Sequence, residues 1–459
     1  MSTATQYNPQ PALNERLLAA GASKTVYALV TSEVETIKRD MLVGNEPGLS
    51  DDYLDMFREA WTGKQDQYHE RFFKTWHEWS RPVVDLNRKN FPSYYPCNGA
   101  SEPIRQLVYD LVAASSASGL FPANIHVFEG EYEGYKAMAE AAGANLIENK
   151  RENWRVLAGL LTHTPNKGDL FFISAPSAID GMVWQDFNAF LEAMPPNSVV
   201  VDCTYVGAIP KSSLKKRFNL NVPSVSSVVF SLSKPFGCYY DRIGGIFCRE
   251  ENPALFGNKW FKNLTSLALG TRLMESFDVF HMPSKYARFQ NRAARRTATE
   301  LALAIEPADV YILGRGVNEA NSELETYLLR ASKVRVCLTP GIAEEIKEMN
   351  DRQTLVNRLE ESPGADPELG QAVLVILTSY TLESGLPTAQ EDPTGNLQAA
   401  SKLFPQGSYP QISKIGTDTW RVHLGFGSKR GGIVTTAQTA ALAVCGACVK
   451  ASLPHDAEV

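Results

Sequence analysis

The stretch that most constrains this chain is residues 228–250, VVFSLSKPFGCYYDRIGGIFCRE. Two apolar segments, residues 228–230 and 243–248, have the length and composition of buried strands, and the polar turn between them contains Lys234. Lysine is rarely buried without a partner. A desolvated lysine amine loses its proton easily and can attack a carbonyl to form a Schiff base. The stretch therefore predicts either a solvated turn lysine or a reactive amine beside two buried strands.

Composition limits the classes of protein that this chain can belong to. Its 459 residues are 44% hydrophobic, which suits one large or two medium-sized domains. A formal net charge of -6 argues against a general nucleic-acid binder. The opening segment has no signal-peptide pattern, and no stretch has the roughly 18 uninterrupted apolar residues of a membrane span. We expect a cytoplasmic protein without nucleic-acid or membrane partners.

The cysteines favour a reduced environment and core packing. Seven of them are spread along the chain, an odd number that fits free thiols better than a disulfide framework. Cys445 and Cys448 form a C-x-x-C pair inside the apolar, alanine-rich residues 435–449, which predict a helix. Because no second ligand pair accompanies them, packing is favoured over a redox or metal role, and no metal is expected.

Hydrophobic periodicity divides the chain into three parts. Residues 1–90 have a mostly helical pattern, residues 91–300 alternate between strands and helices, and residues 301–459 form a further unit that mixes both. In the middle part, the predicted strands lie near residues 125–128, 170–174, 199–202, 227–230 and 243–248. The predicted helices of that part lie near residues 103–116, 135–142, 152–162 and 184–193. This alternation predicts βαβ units and a mainly parallel sheet, whose ligands bind at the carboxyl ends of the strands.

The last part is predicted less regularly. Helices are expected at residues 297–305 and 343–359, and a loop is expected at residues 384–405. Strands are expected at residues 334–338, 372–377 and 419–424.

The motif around the lysine resembles the cofactor-binding segment of a known enzyme family. The pattern Ser-x-Ser-Lys-x-x-Gly, starting at Ser231 and followed by Arg242, resembles that of fold-type I pyridoxal-phosphate (PLP) enzymes, the class I/II aminotransferases. The resemblance implies that Lys234 holds PLP as a Schiff base. It also implies that Ser231 and Arg242 bind the cofactor's phosphate.

Two upstream segments fit the same resemblance. Gly99-Ala100-Ser101 enters a predicted helix, whose free amides and positive dipole end form an anion site as readily as an ordinary N-cap. The resemblance implies that the amides of Ala100 and Ser101 receive the phosphate. It further implies that Tyr132, or failing that Tyr135, stacks on the pyridine ring.

A third segment departs from the family. Many members have an Asn-Pro pair whose asparagine bonds the cofactor's ring oxygen, but here Ala175 precedes Pro176. That contact is therefore absent or supplied by Ser174 or Ser177. The departure leaves room for chemistry other than ordinary transamination.

Asp202 and Tyr205 lie at the end of a predicted buried strand, where an unpaired carboxylate is unfavourable. The resemblance implies that Asp202 keeps the pyridine nitrogen protonated and that Tyr205 bonds the ring oxygen. Arg421 lies in a late strand, and an arginine fork suits a carboxylate. The resemblance implies that Arg421 binds the α-carboxylate of the substrate.

Together these segments imply an α/β fold of the fold-type I PLP transferases. It would have a large domain with a mainly parallel, seven-stranded type of sheet flanked by helices, and a smaller α/β domain from the N- and C-terminal segments. The implied function is a PLP-dependent aminotransferase acting on an amino acid and a 2-oxo acid, in a homodimer. The alternatives are a PLP-dependent lyase, cyclase or oxidase acting on a modified amino acid, or a PLP-binding regulator.

Overall fold

The computed structural model describes residues 10–43, 66–119, 122–163, 169–261, 263–316, 322–378, 392–405, 408–426 and 430–453. The chain divides into two compact units, Met1–Ala343 and Glu344–Val459. The domain boundaries at residues 90 and 300 stay predictions from the sequence. Residues 1–9 and 44–65 of the predicted N-terminal helical segment, and residues 384–391 of the predicted loop, lie outside the described residues.

The helices of the first unit are α1 (Pro11–Ala19), α2 (Ser32–Val43), α3 (Asp66–Ser80), α4 (Ser101–Ala117), α5 (Glu133–Ala142), α6 (Trp154–His163), α7 (Phe187–Ala193), α8 (Asn258–Phe261), α9 (Leu264–Ser276), α10 (His281–Leu301) and α11 (Glu323–Leu328). Its strands are β1 (Val84–Asp85), β2 (Ser93–Asn98), β3 (Asn124–Phe128), β4 (Asn145–Asn149), β5 (Asp169–Ser174), β6 (Val199–Asp202), β7 (Phe218–Asn219), β8 (Val225–Ser231), β9 (Ile243–Cys248), β10 (Ile305–Pro307), β11 (Leu313–Gly316), β12 (Leu329–Arg330) and β13 (Lys333–Cys337).

A seven-stranded sheet organises the first unit, with the strand order β2-β9-β8-β6-β5-β3-β4. Every neighbouring pair is parallel except those of β9, which runs antiparallel to both β2 and β8. All residues of β6 and β9 are buried, as expected for strands covered on both faces. The predicted mainly parallel α/β fold is therefore confirmed.

Parallel pairing brings the carboxyl ends of three central strands to one edge of this sheet. Ser174 ends β5 and lies opposite Asp202, which ends β6 and lies opposite Val229 in β8. Ser231 ends β8 and lies opposite Gly244, near the start of the antiparallel β9. The edge where three strands end and β9 begins is where a ligand is expected in such a sheet.

A second sheet of the first unit has the order β10-β11-β13-β12 and is antiparallel. The predicted strand at residues 334–338 is confirmed as β13. The predicted helix at residues 297–305 is wrong at its end, because α10 stops at Leu301 and β10 starts at Ile305. Ala302 adopts a left-handed conformation with φ 52°, which ends the helix.

The second unit contains α13 (Pro367–Thr378), α14 (Leu397–Ser401) and α15 (Ala440–Ser452), and α12 (Thr339–Glu361) runs across the division between the units. Its strands β14 (Ser408–Lys414), β15 (Trp420–Phe426) and β16 (Arg430–Ala437) form an antiparallel sheet. Cys445 and Cys448 lie buried in α15 as free thiols within the core of this unit. No helix among the described residues is both long and apolar enough to cross a membrane.

The predicted strand at residues 372–377 is wrong, because these residues lie in the helix α13. A short apolar run does not by itself distinguish a buried strand from a buried helix. The deciding signal lies just upstream, where the Asp366 carboxylate accepts hydrogen bonds from the amides of Glu368 and Leu369 and Pro367 opens the first turn.

Candidate active site

A cavity of about 320 Å³ opens at the edge of the seven-stranded sheet where the central strands end. It is lined by first-unit residues from several elements, and the predicted site residues among them are Ala100, Ser101, Tyr132, Asp202, Tyr205, Ser231, Lys234 and Arg242. Residues that are far apart in the sequence are thus brought to one place by the strand ends of β6 and β8 and by the first turns of α4 and α5.

Lys234 lies in the turn after β8, where its side chain is largely enclosed. Its Nζ donates a hydrogen bond to the carbonyl oxygen of Val26 at 2.7 Å. Burial lowers the pKa of this amine to about 8, and the neighbouring positive charges of Arg335 and Arg242 act in the same direction. Near neutral pH, an appreciable fraction of the amine is therefore uncharged and nucleophilic.

One end of the cavity is arranged for an anion. The first turn of α4 starts at Ser101, and the N-cap residue Ala100 has no side chain that could cap the amides. Arg242 lies beside this turn and donates from Nη2 to the carbonyl oxygen of Asn98 at 2.8 Å. Gly99 has φ +71°, which disfavours other residues, and a Cβ there would lie 3.0 Å from Nη2 of Arg242 and push the guanidinium back slightly.

Two serines line the same cavity, Ser231 at the end of β8 and Ser233 in the turn that follows. The Ser231 hydroxyl donates to Oγ of Ser233 at 2.9 Å and accepts from the Ser233 amide at 3.1 Å. Backbone amides at a helix N-terminus, hydroxyls and a guanidinium are the donors that bind phosphate in proteins.

Asp202 is the buried carboxylate of the site, with 7% of the residue exposed. Burial raises its pKa, whereas hydrogen bonds from Thr204 lower it. The Thr204 amide donates to Oδ1 at 2.9 Å and the Thr204 hydroxyl donates to the same oxygen at 2.5 Å. The neighbouring Tyr135 hydroxyl also lowers this pKa. Because Asp202 lines the cavity and Thr204 binds Oδ1, its Oδ2 can accept a bond from a cationic ring N–H there.

Three tyrosines surround these groups. Tyr205 is 7% exposed, and burial raises its pKa to about 12, so its hydroxyl remains a hydrogen-bond donor at neutral pH. Tyr132 lines the cavity and packs edge-on against the fully buried Tyr135, with 5.5 Å between ring centroids. A Cβ at Gly134 would lie 2.3 Å from the Tyr132 ring, so glycine at that position is needed for the ring's placement.

Beside the segment in which Ala175 replaces the family's asparagine lies a buried acid that the sequence did not indicate. Ser174 lines the cavity, and Glu131, which is 6% exposed, lies behind it. The Ser174 hydroxyl donates to Oε2 of Glu131 at 2.6 Å and the Ser174 amide donates to Oε1 at 3.2 Å. Burial raises the pKa of Glu131 to about 7, and the charge of Asp202 adds to this rise.

Glu131 is expected to make the stability of the cofactor-free protein depend on pH. Its pKa is raised in the folded state, so its stabilising effect is complete below about pH 4.5 and is lost as the pH rises through about 7. The free energy of unfolding should fall by about 3 kcal/mol over this pH range, and Glu131→Gln should remove that pH dependence. Melting temperatures from pH 5 to pH 9 measure it. Glu129→Gln, in the same turn, is the control, and parallel wild-type and Glu131→Gln profiles would contradict the prediction.

The sequence did not indicate several other cavity residues. Lys24, Thr25 and Val26 come from the segment between α1 and α2, and Arg330 and Arg335 come from β12 and β13. Nothing in the local pattern around Lys24 marks it. The one available signal was Arg335, a charged residue between two valines in an otherwise apolar strand.

Arg421 belongs to the second unit, and the cavity is described from residues of the first. It lies in β15 of the second unit, opposite Ser413 and Thr436, with an exposed side chain. Its predicted role as the α-carboxylate ligand stays a prediction.

The first unit has the architecture of fold-type I PLP transferases, and solved structures of such enzymes match the chain. YbdL from Escherichia coli, described as having a methionine aminotransferase function, matches with a TM-score of 0.51 and 14% identity, over 75% of this chain and 98% of that one. Histidinol-phosphate aminotransferase from Sinorhizobium meliloti in complex with PLP matches with a TM-score of 0.48 and 13% identity, over 75% of this chain and 96% of that one.

Comparisons of the sequence alone find no related protein family. No family model matches the chain, and no curated protein matches it. At 14% identity, the structural likeness shows the fold alone.

Proposed function

We propose that this protein is a PLP-dependent aminotransferase that moves an amino group between an amino acid and a 2-oxo acid. The observation that carries the proposal is that Lys234 and Asp202 line one cavity together with a phosphate-type anion site. An amine of lowered pKa, a buried carboxylate and an anion cradle are the three features that hold and tune this cofactor. They come from different elements that meet only in the folded chain.

The residues present fit PLP. Ala100, Ser101, Ser231 and Arg242 would hold its phosphate, and Asp202 would pair with its ring nitrogen. The position of the buried Asp202 carboxylate at the cavity wall is the observation that supports this fit, since a buried carboxylate needs a partner. When bound, the cofactor supplies a carbonyl that condenses with amines and a ring that accepts electrons from the substrate's α-carbon.

Lys234 has two tasks in this proposal. Its uncharged amine would hold the cofactor through the carbonyl, with loss of water, and Nζ, when freed by a substrate amine, would take the proton from the substrate's α-carbon. A pKa of about 8 suits both tasks, because the amine is easily deprotonated and still basic enough to take the proton. The Val26 carbonyl, 2.7 Å away, orients Nζ before the cofactor binds.

Two other side chains hold charge and protons in place. Asp202 stabilises a positive charge at the ring nitrogen, and the two bonds from Thr204 keep it ionised once that charge is present. Tyr205 keeps its proton, since its pKa is about 12, and can donate it in a hydrogen bond to the ring oxygen. Tyr132 supplies the aromatic surface at the cavity wall.

The test is to load the purified protein with PLP and follow its absorbance with a panel of amino acids and 2-oxo acids. We expect a visible band on loading. One class of amino acid alone should then bleach this band as pyridoxamine phosphate accumulates, and a 2-oxo acid should restore it. A protein that remains colourless with excess PLP would refute the proposal.

The alternative is a PLP-dependent lyase, cyclase or oxidase acting on a modified amino acid. The observation that favours it is the Glu131–Ser174 pair, which occupies the slot where many aminotransferases have an asparagine. The same panel separates the two reactions. The alternative reactions turn over without a 2-oxo acid and do not accumulate pyridoxamine phosphate.

We also propose that the protein acts as a homodimer, which the resemblance to fold-type I enzymes supports. Light scattering of the purified protein measures the mass directly. A monomer of 50.6 kDa at micromolar concentration would contradict this.

A further inference from the structure

The cavity wall formed by β12, β13 and the segment between α1 and α2 has an excess of positive charge. Arg330, Arg335 and Lys24 all line the cavity there, and Glu133, in the first turn of α5, forms an ion pair with Arg330. Glu133 bonds Arg330, with 2.6 Å between Oε1 and Nη1. Within the described residues, Arg335 has no carboxylate partner.

Arg335 is the group whose surroundings most need an anion. It lies in the middle of β13 between the buried Val334 and Val336, and it is 6% exposed. In the described part of the chain, its guanidinium makes one hydrogen bond, from Nη1 to the carbonyl oxygen of Ala178. Nε is buried and has no partner. A buried cation without a counter-ion is strongly unfavourable, and a ligand anion removes that penalty.

The free part of this guanidinium has a defined shape. Because Nη1 is engaged by Ala178, no protein group among the described residues pairs with the edge formed by Nε, which is buried, and Nη2. That edge presents two parallel N–H groups, which match the two oxygens of a carboxylate. Lysine would offer a point charge here, so the fork geometry itself favours a planar, bidentate anion.

The neighbouring charges act in the same direction. Burial lowers the pKa of Arg330, and the charge of Arg335 lowers it further. Burial also lowers the pKa of Lys24, whereas Glu133 raises it. An anion between these groups would relieve their mutual repulsion. The charge of Arg335 also reaches Lys234, where it favours the uncharged amine. The anion site and the reactive amine therefore belong to one cavity.

We propose that Arg335, flanked by Arg330 and Lys24, is a carboxylate subsite that binds the acid group of the amino-acid substrate. The inference rests on the proposed function, because it takes the reacting amine of the substrate to be at Lys234. It differs from the expectation for Arg421 by assigning the carboxylate to the first unit, on a strand beside the cavity. The phosphate cradle at Ser101 and Arg242 is built from other elements.

Two carbonyl reagents test this subsite without knowledge of the substrate. Aminooxyacetate and O-methylhydroxylamine both capture the cofactor carbonyl as an oxime and release Lys234, and the loss of the visible band reports the rate. They differ in that aminooxyacetate carries a carboxylate. The ratio of their second-order rate constants therefore measures how strongly the site recognises a carboxylate. It does not depend on catalytic turnover of a substrate.

Arg335→Gln should lower this ratio about 10- to 100-fold, the size expected for losing a charge-assisted bidentate pair. The rate with O-methylhydroxylamine should change little. Lys333→Gln removes one positive charge from an exposed position on the same strand and should keep the wild-type ratio. Arg335→Lys keeps the positive charge but lacks the forked pair of N–H groups, so it should give an intermediate ratio. It also keeps the proposal testable if Arg335→Gln fails to fold.

The cofactor-free protein gives an independent readout. Succinate should raise the melting temperature of the wild type and of Lys333→Gln, and it should not raise that of Arg335→Gln. An unchanged reagent ratio in Arg335→Gln and Arg335→Lys, or a loss of the ratio in Arg421→Gln alone, would overturn the subsite. A wild-type protein with no visible band would instead refute the proposed function, so the two failures are distinguishable.

Discussion

Lys234→Ala is expected to lose the visible absorbance of the loaded protein and to slow amino-group transfer by roughly 10³- to 10⁴-fold. The variant would lack both the amine proposed to hold the cofactor carbonyl and the base proposed to move the α-proton. It should still bind PLP through the phosphate cradle, because Ala100, Ser101 and Arg242 are unaffected. The measurements are the absorbance spectrum after gel filtration and the rate of the half-reaction with an amino acid.

Two further variants make this result specific. Lys211→Ala removes an exposed lysine and should behave as the wild type. Lys234→Arg keeps the positive charge, which separates loss of charge from loss of a nucleophile, and it should fail as Lys234→Ala does. A Lys234→Ala protein that retained the visible band would show that another amine holds the cofactor.

Asp202→Asn should reduce the half-reaction rate by about 10²- to 10³-fold, the range found when one preorganised electrostatic contact is removed. Asparagine has nearly the same shape and can still accept the bonds from Thr204. It cannot hold a positive charge at the ring nitrogen, so electrons from the α-carbon are less well accepted. The visible band should persist because Lys234 is intact. Stopped-flow absorbance with saturating amino acid measures the loss.

Asp169, an aspartate at the start of a strand, provides the control for Asp202→Asn. Asp169 opens β5 at the opposite edge of the sheet, where its Oδ1 accepts a bond from Asn124 at 3.0 Å. Asp169→Asn should fold and react as the wild type does. A wild-type rate in Asp202→Asn would show that the ring nitrogen is not held by this carboxylate.

The central sheet was predictable because its strands are short, continuous apolar runs separated by helical patterns. In a strand such as β6, burial on both faces explains the continuous apolar run Val-Val-Val that ends at Asp202. The polar residue that ends each run marks the edge at which ligands bind, so Asp202, Ser231 and the lysine turn could be located from the sequence. Parallel pairing, which the alternation implies, then brings them together.

Other features required tertiary information. Val26 and Arg335 reach the cavity from segments whose local sequence does not specify what they contact, and Glu131 is one of several acids in a single turn. The apolar run at residues 372–377 was assigned to the wrong element because its capping residue, Asp366, lies outside it. Each of these outcomes depends on a neighbour that is distant in sequence or just beyond the pattern.

The reversal of β9 has a mechanical consequence for the cofactor. Because β8 and β9 are hydrogen-bonded antiparallel neighbours, the turn that carries Lys234 and the strand entrance that carries Arg242 belong to one hairpin. A small tilt of that hairpin would carry both attachment points along together and leave the spacing between them unchanged. If PLP binds as proposed, thermal distortion of the sheet would therefore move its two proposed attachment points together and would not separate them.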